Sequence, residues 1–127
     1  MIAPVLLPLY PHGVIATPMN LAAAYAGTAP AWVDFTARVL SAPRFFYGSR
    51  THSVHEAFDV QSSAGELEVV DNVSIAPRCP VQRGDCIEIR GQMVHDPGRF
   101  PVVHWTHHDP ANRHPDGFIR LRGRLYA

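Results

Sequence analysis

The stretch His104-Trp105-Thr106-His107-His108-Asp109-Pro110 sets three imidazoles, a hydroxyl, an indole and a carboxylate side by side, and Arg113 and His114 follow closely. Imidazole titrates near pH 6.5, so adjacent histidines can supply a base and an acid together near neutrality. Two imidazoles and a guanidinium suffice to cleave a phosphodiester. One imidazole takes a proton, the other protonates the leaving oxygen, and the cation holds the developing charge. On this reading His104 with His107 or His108 form the acid and base, His55 is a further catalytic candidate, and Arg113 is the anion clamp. Thr106, Asp109 and His114 complete the set that would touch substrate. Crowded imidazoles also depress one another's pKa, so their titrations would be coupled.

Two other chemistries fit the same residues. His104, His107, His108 and Asp109 are all competent zinc ligands. In an extended strand, however, His104 and His108 would stand about 13 Å apart. A shared ion therefore needs a sharp bend after Thr106, or the help of His55 or His114. The second alternative is a binding module for nucleic acid or a small phosphate-bearing ligand. Arg120, Arg122 and Arg124 fall on one face of a strand whose other face carries Ile119, Leu121 and Leu125, and Trp105, if exposed, offers a stacking surface. The plainest alternative is structural: Asp109-Pro110 is a hydrogen-bonded turn in which Asp109 caps main-chain N–H groups. Among the other candidates, His55 could pair with Asp59, and Asp71-Asn72 either ends a strand or joins the site. His52 and His95 are expected in solvent, and His12 has no visible partner. The phosphate-loop, dinucleotide-binding and nucleophile-elbow motifs are all missing.

These side chains must be positioned by short strands. Val33, Phe35, Ala37 and Val39 alternate with polar residues, as in a half-buried strand. Ser41 to Thr51, with Pro43 and Gly48, reads as a loop. Val54–Val60 and Glu66–Val73 read as a hairpin around Ser62-Ser63-Ala64-Gly65. Cys86 to Gly91 is a strand ending at its glycine, His95 to Gly98 a turn, Pro101 to Thr106 a strand, His107 to Gly117 a polar loop, and Phe118 to Tyr126 a final hairpin. In the strand before Pro110, period-2 geometry makes Trp105 a core residue and turns His104 and Thr106 to an open face. Ahead of the strands, Thr17-Pro18 reads as a helix cap, Asn20 to Ala26 as a short helix and Gly27 as its stop. The expected architecture is a mainly β, OB-like small barrel of five or six strands over residues 31–127, with an N-terminal arm carrying one short helix over residues 1–30.

At 127 residues the chain can bury a single core. The formal net charge is zero, so no strong nonspecific attraction to nucleic acid is expected. All eleven cationic side chains are arginine, which suits carboxylate and phosphate recognition. Seven of them face five acids between Val81 and Ala127, against four facing six before it, so an anion is better placed in the C-terminal part. No apolar run is long enough to span a membrane. Met1 to Leu9 is apolar, but it carries Pro4 and Pro8 and no preceding basic residue, so it is a poor secretory signal. The arm is a candidate contact for homo-oligomers. Cys79 and Cys86 have neither zinc-ribbon nor redox-motif spacing and are expected to be ordinary thiols, although a local bridge across Val81 to Asp85 is sterically conceivable.

Taken together, Val102 to Pro110, His114, Gly117-Phe118-Ile119, Gly123 and Tyr126 resemble the C-terminal signature of a bacterial family, domain of unknown function 3465. His55-Glu56-Ala57-Phe58 is similar to that family's His-Gln-Arg-Phe, and Asp71-Asn72-Val73 sits where it tends to have His-Asn-Ile. Ala76-Pro77-Arg78 and Gly84-Asp85 also fit, so the resemblance runs from about Trp32 to Ala127. It implies an OB-like barrel, often in exported proteins, and carries no activity. Ala57 and Asp71 depart from the family's Arg and His, so a cation and an imidazole are exchanged at these positions.

Overall fold

The structure is a computed structural model and describes residues 17–127. Its first element, α1 (Leu21–Ala26), is capped by Asn20, whose Oδ1 accepts from the Ala23 N–H at 3.1 Å. The cap is thus Asn20 and not Thr17, because the Asn20 carboxamide already takes the orphan N–H of the first turn. The Gly27 N–H closes the helix on the Ala23 carbonyl. Eight strands follow: β1 (Ala31–Val39), β2 (Arg44–Gly48), β3 (Ser53–Gln61), β4 (Glu66–Asn72), β5 (Cys86–Val94), β6 (Val102–His104), β7 (Phe118–Leu121) and β8 (Arg124–Tyr126). The fold is mainly β with one short helix.

Five strands pair in a ring in the order β1-β3-β4-β6-β5 and back to β1, an OB-like arrangement. Only the β4–β6 contact in that ring is parallel. Alternation sorts the side chains. Val33, Phe35 and Val39 of β1, Phe58 and Val60 of β3, Leu67 and Val69 of β4, Ile87, Ile89 and Met93 of β5, and Val103 of β6 are all buried in one core. Helix α1 adds Ala24 to it. The β7–β8 hairpin continues the sheet from β5, and β2 flanks β3.

Ring closure and its extensions correct several expectations. Among the described residues eight strands form, five of them in the ring and three extending it. Ser41–Thr51 is not loop throughout, because β2 forms between Pro43, just ahead of it, and Gly48, its last residue. Strand β5 does not stop at Gly91 but runs on to Val94. A Cβ at Gly91 would lie 2.5 Å from the His104 carbonyl oxygen, so this glycine leaves β6 room beside β5. His95 is half-buried, with Nε2 donating to the Ala24 carbonyl at 3.0 Å beneath α1. Cys79 is buried, Cys86 is exposed, and both are free thiols. Within the described residues no helix is long and apolar enough to cross a membrane. Thr17 to Pro30 belongs to the described arm. His12, the apolar start and the proposed oligomer contact of the far arm lie outside the described residues.

Candidate functional site

The histidine-rich stretch starts as the last ring strand and then breaks from it. His104 pairs with Gln92 across β6–β5, and its Nε2 donates to Gln92 Oε1 at 3.0 Å. Trp105 then takes a left-handed φ of 56°, which ends the ladder and abolishes the period-2 alternation. Trp105 is therefore half-buried and not a core residue. Its indole stacks between two imidazoles, His104 at 5.0 Å and His114 at 3.5 Å between ring centroids, with Trp32 beside it at 6.4 Å. Thr106, expected on an open face, is instead fully buried, and its hydroxyl bonds to Asp71 Oδ1 at 2.8 Å. Gly117 lets the returning loop close here, because a Cβ would meet the Trp105 carbonyl oxygen at 2.1 Å.

Asp109 organises the loop. Its Oδ1 accepts from the Ala111 N–H at 2.9 Å, and its Oδ2 accepts from the N–H groups of Arg113 at 2.6 Å and His114 at 2.9 Å. The turn expected at Asp109-Pro110 is present, and it also aims His114. Nδ1 of His114 stands 3.3 Å from Asp109 Oδ2 without hydrogen-bond alignment, a contact that becomes an ion pair when the ring is protonated. His107 is fixed by a 2.6 Å bond from Nδ1 to the His108 carbonyl, and its own carbonyl accepts from the Gly117 N–H at 2.8 Å.

These pieces enclose a cleft of about 280 Å³ on the outer side of the sheet. His55, His104, His107 and His114 line it, together with Trp105, Asp109 and Asn72. His55 reaches it from β3, stacked at 5.3 Å on Phe46 of β2, and its buried Nδ1 has no hydrogen-bond partner. Asp59 is engaged by Arg44 at 3.4 Å, so the expected His55–Asp59 pair does not form. Asn72 both ends β4 and lines the cleft.

Other candidates lie elsewhere. His108 lines a second cavity, of about 460 Å³, together with Arg120, Glu88, Arg90 and Asp34. Turning past Trp105 sends His107 and His108 to different sides of the loop, which splits the zinc set His104, His107, His108 and Asp109. Among the described residues no three His, Cys, Asp or Glu side chains are arranged to hold a metal ion. The Arg113 side chain is exposed and does not line the cleft; only its main-chain N–H takes part, through Asp109. Arg120 bridges Glu88 at 3.2 Å, Arg122 sits in the β7–β8 turn with φ 49° and bridges Asp85 at 3.3 Å, and Arg124 packs over Tyr126. The turn and these partners break up the expected arginine strip.

Burial is the leading influence on the ionisable groups. It pushes the His104 imidazole below its ordinary value, and the charges of His114 and His107 add to that. Burial also lowers His107, against the raising effect of its bond to the His108 carbonyl. It lowers His114 too, against Asp109 and Asp116. For Asp109 burial acts upward, but three main-chain donors and His114 outweigh it and hold the carboxyl below its usual range. The imidazoles of His104, His107 and His114 are thus largely neutral near pH 7.

Behind it lies a feature that sequence reasoning missed. Glu56 and Asp71 oppose each other across β3–β4 on the interior face, and both are completely buried. Burial pushes Asp71 up to about 7, the Thr106 bond resists this, and the Glu56 charge adds to it. Glu56 is also raised by burial, although Arg78 stands 3.6 Å away. The available signal was the strand parity that aligns Glu56 with Phe58 and Val60.

A family model described as "Protein of unknown function (DUF3465)" matches residues 37–127. No curated protein matches the sequence. Among solved structures, "Crystal structure of the tetrameric p202 HIN2" is similar with a TM-score of 0.47 and 13% identity, over 70% of this chain and 44% of that one. The chain therefore spans less than half of that structure's length.

Proposed function

The chain belongs to the DUF3465 family of unknown function, and from that premise we propose that it is a phosphodiester hydrolase working by histidine acid–base chemistry. The observation that carries this reading is the convergence of His55, His104, His107 and His114 on one cleft, with a carboxylate at His114. The roles follow from the bonds. A carbonyl only accepts, so Nδ1 of His107 carries its proton and Nε2 is left as a base. His114 has the Asp109 carboxylate 3.3 Å from its Nδ1 to offset a positive charge on the ring. His107 would take the proton of the attacking hydroxyl or water, and protonated His114 would deliver one to the leaving oxygen. Arg113 stands outside the lining, so the phosphoryl charge falls to the imidazolium itself. A bound anion supports this by raising the pKa of the imidazoles around it.

The test is incubation of the protein with labelled RNA, single-stranded DNA and cyclic nucleotides. Cleavage is expected, with His107→Ala and His114→Ala each lowering kcat about 100-fold or more. Absence of cleavage, or undiminished rates in both variants, rejects the proposal.

A further inference from the structure

Strand β2 is unusual for an edge strand. It puts three consecutive aromatic side chains into solvent: Phe45 is 48% exposed, Phe46 46% and Tyr47 61%. Val54, opposite Tyr47 in the register, is also exposed. A flat apolar edge invites unwanted strand pairing, so its retention calls for an occupant. Its surroundings indicate the chemistry. The Arg78 guanidinium lies 4.9 Å above the Phe45 ring and Arg50 is exposed in the turn after the strand, while Arg44 at its other end is held by Glu68 at 2.7 Å and Asp59 at 3.4 Å. The rings occupy both sides of the ribbon. Phe46 turns onto His55, which lines the cleft, while Phe45 and Tyr47 pair across β3 with Glu56 and Val54. Aromatic rings on both sides of a free edge, with Arg78 over Phe45 and Arg50 in the following turn, suit unpaired bases and their phosphates.

We propose that β2 is a stacking platform for single-stranded nucleic acid, with Phe45 and Tyr47 holding bases and Phe46 leading the strand over His55 into the histidine cleft. The direction of travel rests on the phosphodiester reading of that cleft; the binding itself does not. Stacking tolerates any base, so the platform discriminates single strands from duplex and not one sequence from another. Two arginines, Arg50 and Arg78, would contact the backbone, so affinity should fall with salt at a log–log slope of only about −1.4.

The experiment measures fluorescence anisotropy with labelled dT12, rU12 and a duplex of the same length. In parallel, hydrolysis of bis(p-nitrophenyl) phosphate, an ester small enough to occupy the cleft alone, is followed. Wild type is expected to bind both single strands in preference to the duplex. Phe45→Ala and Tyr47→Ala should each weaken binding about tenfold and leave hydrolysis of the small ester unchanged. Because Phe45 also packs against Arg78, a dT12 carrying 5-iodouracil serves as a readout on unaltered protein, with crosslinks expected on residues 45–47. Comparable duplex binding, full affinity in both variants, crosslinks elsewhere, or self-association lost in the variants without oligonucleotide binding would overturn the platform. Hydrolysis of the small ester without oligonucleotide binding defeats the platform alone. Binding through β2 with neither substrate cleaved upholds the platform and defeats the hydrolase reading.

Discussion

Single residues set the pH behaviour of this protein, and two groups pull it in opposite directions. Asp71 is raised from 3.8 to about 7 by burial. Between those values the folded chain holds a proton that the unfolded chain has lost, so stability falls as pH rises through that window and levels off above it. A shift of this size corresponds to about 4 kcal/mol. Asp109 is shifted down and acts the other way: its contribution is present above its unfolded pKa and fades on acidification. Asp71→Asn keeps an oxygen to accept from Thr106 and removes the ionisation. Urea unfolding at pH 5 and pH 8 should then show a smaller loss of stability in the variant than in wild type; equal losses would refute the assignment. The cleft makes a companion prediction. Its general acid must be an imidazolium, and burial lowers the pKa of His104, His107 and His114. The alkaline limb of the kcat/KM profile should therefore fall below pH 6.5, the ordinary histidine value. A limb above it would mean that none of the three is the acid.

At the scale of elements, the sequence was readable wherever one side of a strand faces the core. The alternation in β1, β3 and β4 follows from burying one face, and the Ser62–Gly65 turn closes with the Ser62 N–H on the Gly65 carbonyl at 3.0 Å. Strand β2 was not legible, because an edge strand exposed throughout has no buried face to impose a period. The histidine stretch misled for a different reason. Its composition pointed to a site, but one positive φ at Trp105 reverses which side chains face inward, and no local pattern announces that turn. The turn is imposed from a distance by Gly91 and Gly117, which give β6 and the loop room to pack. Gly91→Ala would press a methyl group against main chain that cannot move aside. It should destabilise the fold by about 1–3 kcal/mol, as overpacking does, and disturb the stacked Trp105. Thermal unfolding and tryptophan fluorescence check both effects, and a silent substitution would show that β6 is not held this closely.

Across the whole molecule, neutrality comes from pairing and not from dilution. Two of the three arginine forks expected to form an anion strip are spoken for, Arg120 by Glu88 and Arg122 by Asp85, and Arg90 on β5 is likewise held by Asp34 at 3.3 Å. The ring also separates these pairs from the histidine cleft, since Arg120 lines the second cavity with His108 while the four converging imidazoles line the first. The C-terminal excess of arginine in the sequence thus appears in the structure as carboxylate pairs set apart from the histidine cleft. The consequence is measurable. Exposed ion pairs contribute about 0–1 kcal/mol each, so Arg120→Gln and Arg122→Gln should leave stability within that range. They should change dT12 affinity and cleft turnover by less than twofold, whereas Arg78→Gln, beside the exposed aromatic row, should weaken oligonucleotide binding. Had the terminal strand been the contact surface, the order would invert: the Arg120 and Arg122 variants would lose affinity and flatten its salt dependence, and the Arg78 variant would bind as wild type.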